Sequence, residues 1–195
     1  MYHIYQTDGW ILGGVNVGEA NRFLDLFTSE LGLVRAMAQG VRKLNSKLRY
    51  GLQDYFFVRV SLVRGRDFWR IMNVERLNDF NWIYKDREIF RMICRIFSLL
   101  RRLVIGEGND AVIFEDINLA IKLIDENDLS RDEKRAIEVI LVFRILQRLG
   151  YVGRDSRLNY LADFSRWEVP LFKIDNLTRS LVLKQINSSL MHSHL

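Results

Sequence analysis

A basic segment in the N-terminal part of the chain carries the side chains with the clearest capacity for chemistry. Residues 39–53 read QGVRKLNSKLRYGLQ and contain four cations but no acidic residue. Guanidinium and ammonium groups are well suited to binding phosphate oxygens. A solvated surface turn would have a similar composition. The four cations are Arg42, Lys43, Lys47 and Arg49.

The excess positive charge of the chain is concentrated around this segment. The net charge at pH 7 is +5, from 29 basic and 24 acidic residues. Residues 34–70 hold nine Lys or Arg and two acids, whereas residues 81–195 hold 18 basic and 16 acidic residues. A surface that binds a polyanion has this uneven distribution. Charge alone leaves three interpretations open: a nucleic-acid contact, a solvated basic face, or a docking face for an acidic protein.

Further cations and aromatic rings surround the basic segment. Proteins that bind single-stranded nucleic acids pair a cationic groove with aromatic faces on which bases stack. In residues 56–62, Phe57 and Arg59 share the face opposite to an apolar set that points to the core. We therefore predict that Tyr50 and Phe57 stack on bases. The predicted phosphate contacts are Arg35, Arg42, Lys43, Lys47, Arg49, Arg64, Arg66 and Arg70.

Patterns that indicate catalysis or metal binding are poor in this chain. The three histidines, His3, His192 and His194, lie at the chain ends, where structured sites are uncommon. Cys94 falls within an apolar helical pattern, which favours a buried structural thiol. The glycines of residues 13–18 lack the spacing and the following Lys-Ser/Thr of a phosphate-binding loop. We expect a protein that is not an enzyme and has no metal site and no cofactor.

Composition favours a folded chain in a reducing compartment. Hydrophobic residues make up 49% and aromatic residues 12% of the 195 residues, which is ample for a packed core. A single cysteine excludes an internal disulfide. The start, MYHIYQTDGW, lacks the features of a secretory signal, and no apolar run approaches the ~20 residues of a membrane-spanning helix. We expect a cytoplasmic protein with no membrane partner.

The N-terminal part has the periodicity of short strands. Alternation of apolar and polar residues is clearest in residues 56–63, and a turn at residues 64–67 predicts a hairpin. Several short strands without a convincing helix predict a small barrel. The five predicted strands cover residues 5–15, 22–27, 33–38, 56–63 and 68–74.

Helical periodicity replaces the strand pattern after residue 81. Helices are predicted over residues 87–104, 112–126 and 130–150, and a last helix begins at Asp175 or Asn176. Ser130 and Glu133 have the spacing of a capping box at the start of the third helix. The sequence therefore predicts an α+β protein, with a barrel domain over residues 1–80 and an all-helical domain over residues 81–195.

Four blocks of sequence resemble a known family. GEANRFLDLFT at 18–28 resembles the stretch GE-S/A-D/N-R-I/L-x-x-x-F-T of the RecO family of bacterial DNA repair proteins. AQGVRK at 38–43 and the SKL…LQ frame at 46–53 are similar to the loop that follows in that family. FRILQRLGY at 143–151 is similar to the F-x-x-x-L-L-x-x-L-G-Y helix end. The blocks occur in family order and cover both parts of the chain.

The resemblance implies a fold and a function. The implied fold is an N-terminal OB-fold followed by a helical domain. The implied role is to bind single-stranded DNA, with double-stranded DNA as a further ligand, and to anneal strands at the nucleoid. The implied partners are RecR and the single-stranded-DNA-binding protein, with which the family loads RecA during gap repair.

The resemblance does not extend to metal binding. Many family members carry a four-cysteine zinc finger after the LGY segment. Residues 152–164 follow that segment here and contain no cysteine. The resemblance is therefore to a form without the zinc finger.

Two other function classes fit the same residues. One is an OB-fold module that binds RNA, which a comparison of ribo- and deoxyribo-oligomers would separate from a DNA-binding protein. The other is a scaffold whose basic face docks an acidic protein tail, which would bind such a peptide but no oligonucleotide.

Overall fold

The N-terminal part of the chain folds as a five-stranded barrel, and helices follow it. The computed structural model describes residues 3–77, 81–104, 106–108, 110–163, 167 and 174–192. Packing divides the chain into two compact units, Met1–Ala111 and Val112–Leu195.

Every predicted strand is present, with ends that differ by a few residues. The alternation of apolar and polar side chains located them, because one face of each strand is buried in the barrel. The strands are β1 (Ile4–Val17), β2 (Asn21–Thr28), β3 (Gly32–Ala38), β4 (Phe57–Arg64) and β5 (Trp69–Arg76).

Within the described residues, five α-helices and a short 3₁₀ helix follow the strands. The four predicted helices are confirmed, and a one-turn helix that the sequence did not predict precedes them. The helices are α1 (Asn81–Lys85), α2 (Arg87–Leu103), α3 (Ala111–Glu126), α4 (Arg131–Arg148) and α5 (Asn176–His192), and the 3₁₀ helix is Asn159–Ala162.

The barrel closes because β3 and β5 pair in parallel. The strand order around it is β1-β2-β3-β5-β4, and every other neighbouring pair is antiparallel. The closing contact is short and joins Ala36 to Trp69 and Met37 to Arg70. Closure removes the unpaired edges that an open sheet would expose. This topology confirms the predicted α+β class with an N-terminal OB-fold barrel.

Alternate residues of each strand fill the barrel. On β4, Val58, Val60 and Leu62 are fully buried, while Phe57 and Arg59 lie on the outer face, as predicted. Burying each such aliphatic side chain contributes about 1.5–3 kcal/mol to folding. The core also takes in side chains from the other strands and from the segment between β3 and β4: Ile11, Leu24, Leu26, Val34, Ala36, Ala38, Val41, Leu52, Phe56, Trp69 and Ile71.

Helix α2 belongs to the same compact unit as the barrel. Asp86 caps its first turn, and its apolar stripe contacts the outer face of β1. There Trp10 is 1% exposed, and its ring centroid lies 5.6 Å from that of Phe97. Near the end of the helix, Arg101 Nη2 lies 2.7 Å from Asp25 Oδ2 on β2. Apolar packing and an ion pair therefore join α2 to the barrel.

This packing bears on the predicted domain boundary. The change from strands to helices falls between Arg76 and Asn81, where the sequence indicates it. The first compact unit nevertheless continues to Ala111, because α2 covers part of the barrel surface. The division into domains of residues 1–80 and 81–195 stays a prediction.

Capping interactions mark the first turns of α4 and α5 in the second unit. The capping box is confirmed, because the Ser130 side chain accepts from the Glu133 backbone and the Glu133 carboxylate accepts from Ser130 N–H at 2.8 Å. At α5, Asp175 Oδ1 accepts a hydrogen bond from Thr178 N at 2.6 Å. Asp175 is therefore the capping side chain of the two that the sequence offered.

A buried ion pair lies inside the second unit. The side chains of Arg144 and Asp116 are 0% and 1% exposed, and Nη1 lies 2.7 Å from Oδ1. Arg144 Nε also donates to Leu161 O at 2.6 Å, and Trp167 Nε1 donates to Asp116 Oδ1 at 2.5 Å. Burial raises the pKa of Asp116 to about 6, against the opposing effect of its two donors.

The free energy of unfolding of the second unit should fall as the pH rises from about 4 to about 7. Asp116 binds its proton more tightly in the folded chain, where its pKa is about 6, than when unfolded, where the ordinary value of 3.8 applies. This stabilisation is complete below the unfolded pKa and is lost as the pH passes the folded pKa, by about 3 kcal/mol in all. Urea unfolding at several pH values, followed by circular dichroism, measures it.

An Asp116→Asn variant provides the comparison, because it cannot titrate at this position. Its stability should lack this pH dependence, because the side-chain amide stays neutral over the whole range. The decisive quantity is the pH slope of stability. Equal slopes in the variant and the parent would contradict the assignment to Asp116.

Candidate nucleic-acid interface

The segment between β3 and β4 forms a loop of residues 39–56 with a fixed base. Val41 and Leu52 are 5% and 3% exposed and insert into the barrel core. Gly40 adopts φ 66°, a left-handed conformation that glycine accepts without strain. The backbone N–H of Arg42 donates to Ala20 O at 2.9 Å, which ties the loop to the β1–β2 turn. The ends of the loop are therefore held by packing and hydrogen bonds.

The four predicted cations of this loop project away from the barrel. Arg42, Lys43, Lys47 and Arg49, hereafter the loop cluster, are all exposed. Among the described residues, the side chains of Lys43, Lys47 and Arg49 have no ion-pair or hydrogen-bond partner. Arg42 Nη1 donates to Gly18 O at 3.0 Å, which orients the guanidinium without neutralising it. The loop cluster therefore keeps its full positive charge.

The two predicted stacking rings lie in different surroundings. Tyr50 belongs to the same loop and is 77% exposed. Phe57 is half-buried, and its ring centroid lies 4.9 Å from that of Trp10, which α2 covers. Tyr50 thus has an accessible face for a base, whereas Phe57 packs against the protein. The stacking roles of both residues stay predictions.

A groove crosses the outer face of β2 and β3 beneath the β4–β5 hairpin. Its volume is about 740 Å³, and its walls include Phe23 of β2 and Phe68 of the hairpin. These two rings meet edge to face with centroids 5.3 Å apart. The guanidinium carbon of Arg35 lies 5.4 Å from the Phe23 centroid, and that of Arg70 lies 5.8 Å from Phe68. OB-folds bind oligonucleotides at this face.

Sequence analysis did not identify Phe23 and Phe68 as candidate stacking residues. The alternation in NRFLDLF on β2 could have identified Phe23, because Leu24 and Leu26 are fully buried and Phe23 must face outward. Phe68 follows the hairpin turn, where alternation gives no direction. Its position depends on how the hairpin folds over β2.

Acidic residues compensate most cations of the groove. Arg35 Nε lies 3.8 Å from Asp25 Oδ1, and Arg64 Nη1 pairs with Glu107 Oε2. Although partial burial opposes the shift, hydrogen bonds from Trp69 and Arg64 hold the pKa of Glu107 below its ordinary value. The groove lining thus contains three cations and three acids, namely Arg35, Arg64, Arg66, Asp25, Asp67 and Glu107.

The eight predicted phosphate contacts therefore form two sets with different electrostatics. Within the described ranges the loop cluster has no acidic partner, whereas Arg35 and Arg64 of the groove set face acidic partners. Arg66 and Arg70 are exposed at the hairpin side of the groove. The role of each cation in DNA binding stays a prediction, and the geometry favours the loop cluster.

The barrel corresponds in sequence to a known protein family. Residues 1–80 match the family described as Recombination protein O N terminal. Curated relatives named DNA repair protein RecO match stretches of 126 to 151 residues, longer than the barrel alone. The barrel of this chain therefore matches the N-terminal domain of the RecO family.

Three of these relatives show the extent of the similarity. The RecO protein of Gloeothece citriformis is 30% identical over 127 residues, which cover 65% of this chain and 44% of that protein. The protein of Rubrobacter xylanophilus is 26% identical over 151 residues, 77% of this chain and 59% of its own length. That of Dehalococcoides mccartyi is 29% identical over 126 residues, 65% and 49% of the two chains. The chain spans about half the length of the curated relatives it matches.

These matches confirm the predicted resemblance to the RecO family of DNA repair proteins. No helix within the described ranges is both long and apolar enough to cross a bilayer.

The GEANRFLDLFT block, which resembles the RecO family, has structural roles. Asn21 Oδ1 accepts a hydrogen bond from Gly40 N at 2.8 Å and so fixes the start of the 39–56 loop. Arg22 Nη2 donates to both carboxylate oxygens of Asp54, at 2.7 and 2.9 Å, near the end of that loop. Thr28 Oγ1 donates to the first carbonyl of β3 at 3.0 Å. The block therefore holds the basic loop in place.

Replacing Asn21 with alanine should loosen the loop while the barrel stays folded. The change removes one partly buried hydrogen bond and should cost about 0.5–1.5 kcal/mol. Trypsin cleavage after Lys43, Lys47 or Arg49 should become faster, because cleavage requires local opening. Mass spectrometry of a limited digest measures the rate at each position.

Asn187→Ala is the matched control, because Asn187 is an exposed asparagine on α5, in the second compact unit and not in the one that holds the loop. Its digestion pattern in the loop should equal that of the parent. Equal cleavage rates in the Asn21→Ala and Asn187→Ala variants would show that the Asn21 hydrogen bond does not restrain the loop.

Proposed function

We propose that the chain binds single-stranded DNA through the loop cluster and promotes annealing of complementary strands as a recombination mediator. The observation that carries the proposal is a run of four exposed cations, uninterrupted by any acidic residue, on a loop of an OB-fold barrel. The match of residues 1–80 to the family described as Recombination protein O N terminal supports a DNA ligand.

Phosphate neutralisation provides the binding energy in this proposal. Each cation that contacts the backbone releases a condensed counterion, and this release is the main sequence-independent source of affinity. Tyr50 adds stacking, which is worth about 1–3 kcal/mol per base and tolerates any sequence. Binding of this kind requires no particular base, as expected for a protein that acts on arbitrary gaps.

Annealing follows from the same electrostatics. Two single strands repel each other through their phosphates, and a cationic loop between them lowers that repulsion. The protein makes and breaks no covalent bond; it holds two strands until bases pair, and the duplex that forms is a further ligand. In this proposal it acts in the cytoplasm at the nucleoid, together with RecR and the single-stranded-DNA-binding protein, so that RecA is loaded on the gap.

Removing the loop cluster tests the proposal directly. In a series of salt concentrations, log K for an oligo-dT should fall with log salt at about 0.7 per phosphate neutralised. The Arg42→Ala, Lys43→Ala, Lys47→Ala, Arg49→Ala quadruple variant should lower the steepness of this slope by about 2 to 3. Fluorescence anisotropy measures the slope, and a strand-annealing assay should show a matching loss of rate.

A second quadruple variant separates the effect of the loop cations on DNA binding from the effect of net charge. Lys122, Arg135, Arg148 and Lys184 are exposed cations of the second unit, and their replacement by alanine lowers the net charge equally. This control should keep the parent slope. Equal losses in the two variants would refute the loop assignment. Tighter binding of an oligo-U than an oligo-dT would favour an RNA ligand instead.

Single variants test whether ion pairing inside the protein weakens a DNA contact. Arg49→Ala should lower the steepness of the salt slope by about 0.7, because Arg49 has no acidic partner within the described residues. Arg64→Ala should lower it by less, because Glu107 already neutralises Arg64. Both slopes come from anisotropy titrations under the same conditions. A larger effect of Arg64→Ala would make the groove, and not the loop, the main phosphate contact.

A further inference from the structure

A hollow lies beside the loop cluster, between the base of the loop and the start of β2. Its volume is about 380 Å³. Its polar lining includes three arginines, two side-chain amides and one carboxylate: Arg22, Arg42, Arg49, Asn16, Gln53 and Asp54. The hollow lies apart from the groove, because the two linings share no residue.

The three arginines and the one carboxylate that line the hollow give it a formal charge of +2. Asp54 is engaged by Arg22, whose Nη2 lies 2.7 Å from one carboxylate oxygen and 2.9 Å from the other. Arg22 is also the most enclosed of the three arginines, with a side chain that is 20% exposed. The charges of Arg42 and Arg49 therefore remain for a ligand.

Hydrogen bonds hold the guanidinium group of Arg42 and the backbone that carries Arg49 before any ligand arrives. Arg42 Nη1 donates to Gly18 O at 3.0 Å, and this leaves Nε and Nη2 available. The backbone around Arg49 is held by hydrogen bonds of turn type, from Arg49 N to Ser46 O at 3.3 Å and from Leu52 N to Leu48 O at 3.1 Å. Paired guanidinium groups bind the oxygens of phosphate in a forked geometry, which lysines do not reproduce.

We propose that this hollow binds a phosphate dianion, namely the terminal phosphate of a DNA strand. A terminal phosphate carries close to two negative charges at neutral pH, which match the charge of the hollow, and its three free oxygens accept hydrogen bonds from guanidinium groups. A backbone diester carries one charge and has two free oxygens. The amides of Asn16 and Gln53 supply neutral donors for the third oxygen. The DNA part of this inference rests on the function proposed above, but binding of phosphate itself does not.

Strands that differ only at one end provide the test. The full chain is titrated into fluorescent oligo-dT carrying a 5′-phosphate, a 3′-phosphate or hydroxyls at both ends, and anisotropy gives each Kd. One phosphorylated form should bind about tenfold tighter than the hydroxyl form, as expected for added charge-assisted hydrogen bonds. Arg42→Gln and Arg49→Gln should each remove most of this preference.

Lys47→Gln is the matched control, because Lys47 belongs to the loop cluster but does not line the hollow. The Lys47→Gln variant should weaken the binding of all three oligonucleotides by the same factor and keep the preference for a phosphorylated end. Equal Kd values for the three oligonucleotides would overturn the strand-end assignment, as would a preference that survives both arginine variants.

Titration with inorganic phosphate, followed by 31P NMR, distinguishes the sources of the anion. Phosphate binding that Arg49→Gln abolishes, without any oligonucleotide binding, would support the hollow as a phosphate site and refute its DNA source together with the proposed function. Oligonucleotide binding without an end preference and without phosphate binding would refute the hollow alone.

Discussion

The contact on which the rest of the barrel depends is the parallel pairing of β3 with β5. It joins two residue pairs, Ala36 with Trp69 and Met37 with Arg70, and without it both strands would end as sheet edges. The basic loop leaves β3 just after this contact, and the β4–β5 hairpin enters β5 just before it. Both cation-bearing segments are thus positioned by one short seam, whose backbone hydrogen bonds are supported by buried Ala36 and Trp69.

Arginines in this chain serve two purposes, and the positions of acidic residues separate them. Arg22, Arg59 and Arg101 each face a carboxylate at 2.7 Å, and these pairs connect segments distant in sequence. Arg144 is an extreme case, because breaking a fully buried pair leaves an uncompensated charge in a low-dielectric interior. In the part of the chain that the structure describes, no acidic side chain pairs with the loop cluster, so its charge is directed at solvent and at any anion that approaches.

Local patterns were sufficient for the five strands and the four longer helices, but not for the one-turn helix α1 or for the site. Alternation placed the β4 residues Val58 and Val60 in the core, and a three-residue spacing placed the Ser130 cap, because both depend on near neighbours. Pairing of Arg64 with Glu107, 43 residues away, depends on the three-dimensional path of the chain. The burial of Phe57 likewise depends on α2. Sequence therefore indicates which residues are cationic or aromatic, whereas packing decides which of them a ligand can reach.

The two apolar anchors of the basic loop, Val41 and Leu52, make the fold of the barrel independent of the cations that the loop carries. Both are buried in the barrel core, so the ends of the loop are fixed whatever the intervening residues are. Lys43 and Lys47 lie between these anchors on exposed backbone, where surface substitutions usually change stability by less than about 0.5 kcal/mol. Lysines in this loop can thus be added, removed or shifted by mutation while the barrel that holds the loop keeps its stability, so the positive charge of this surface can change independently of the fold.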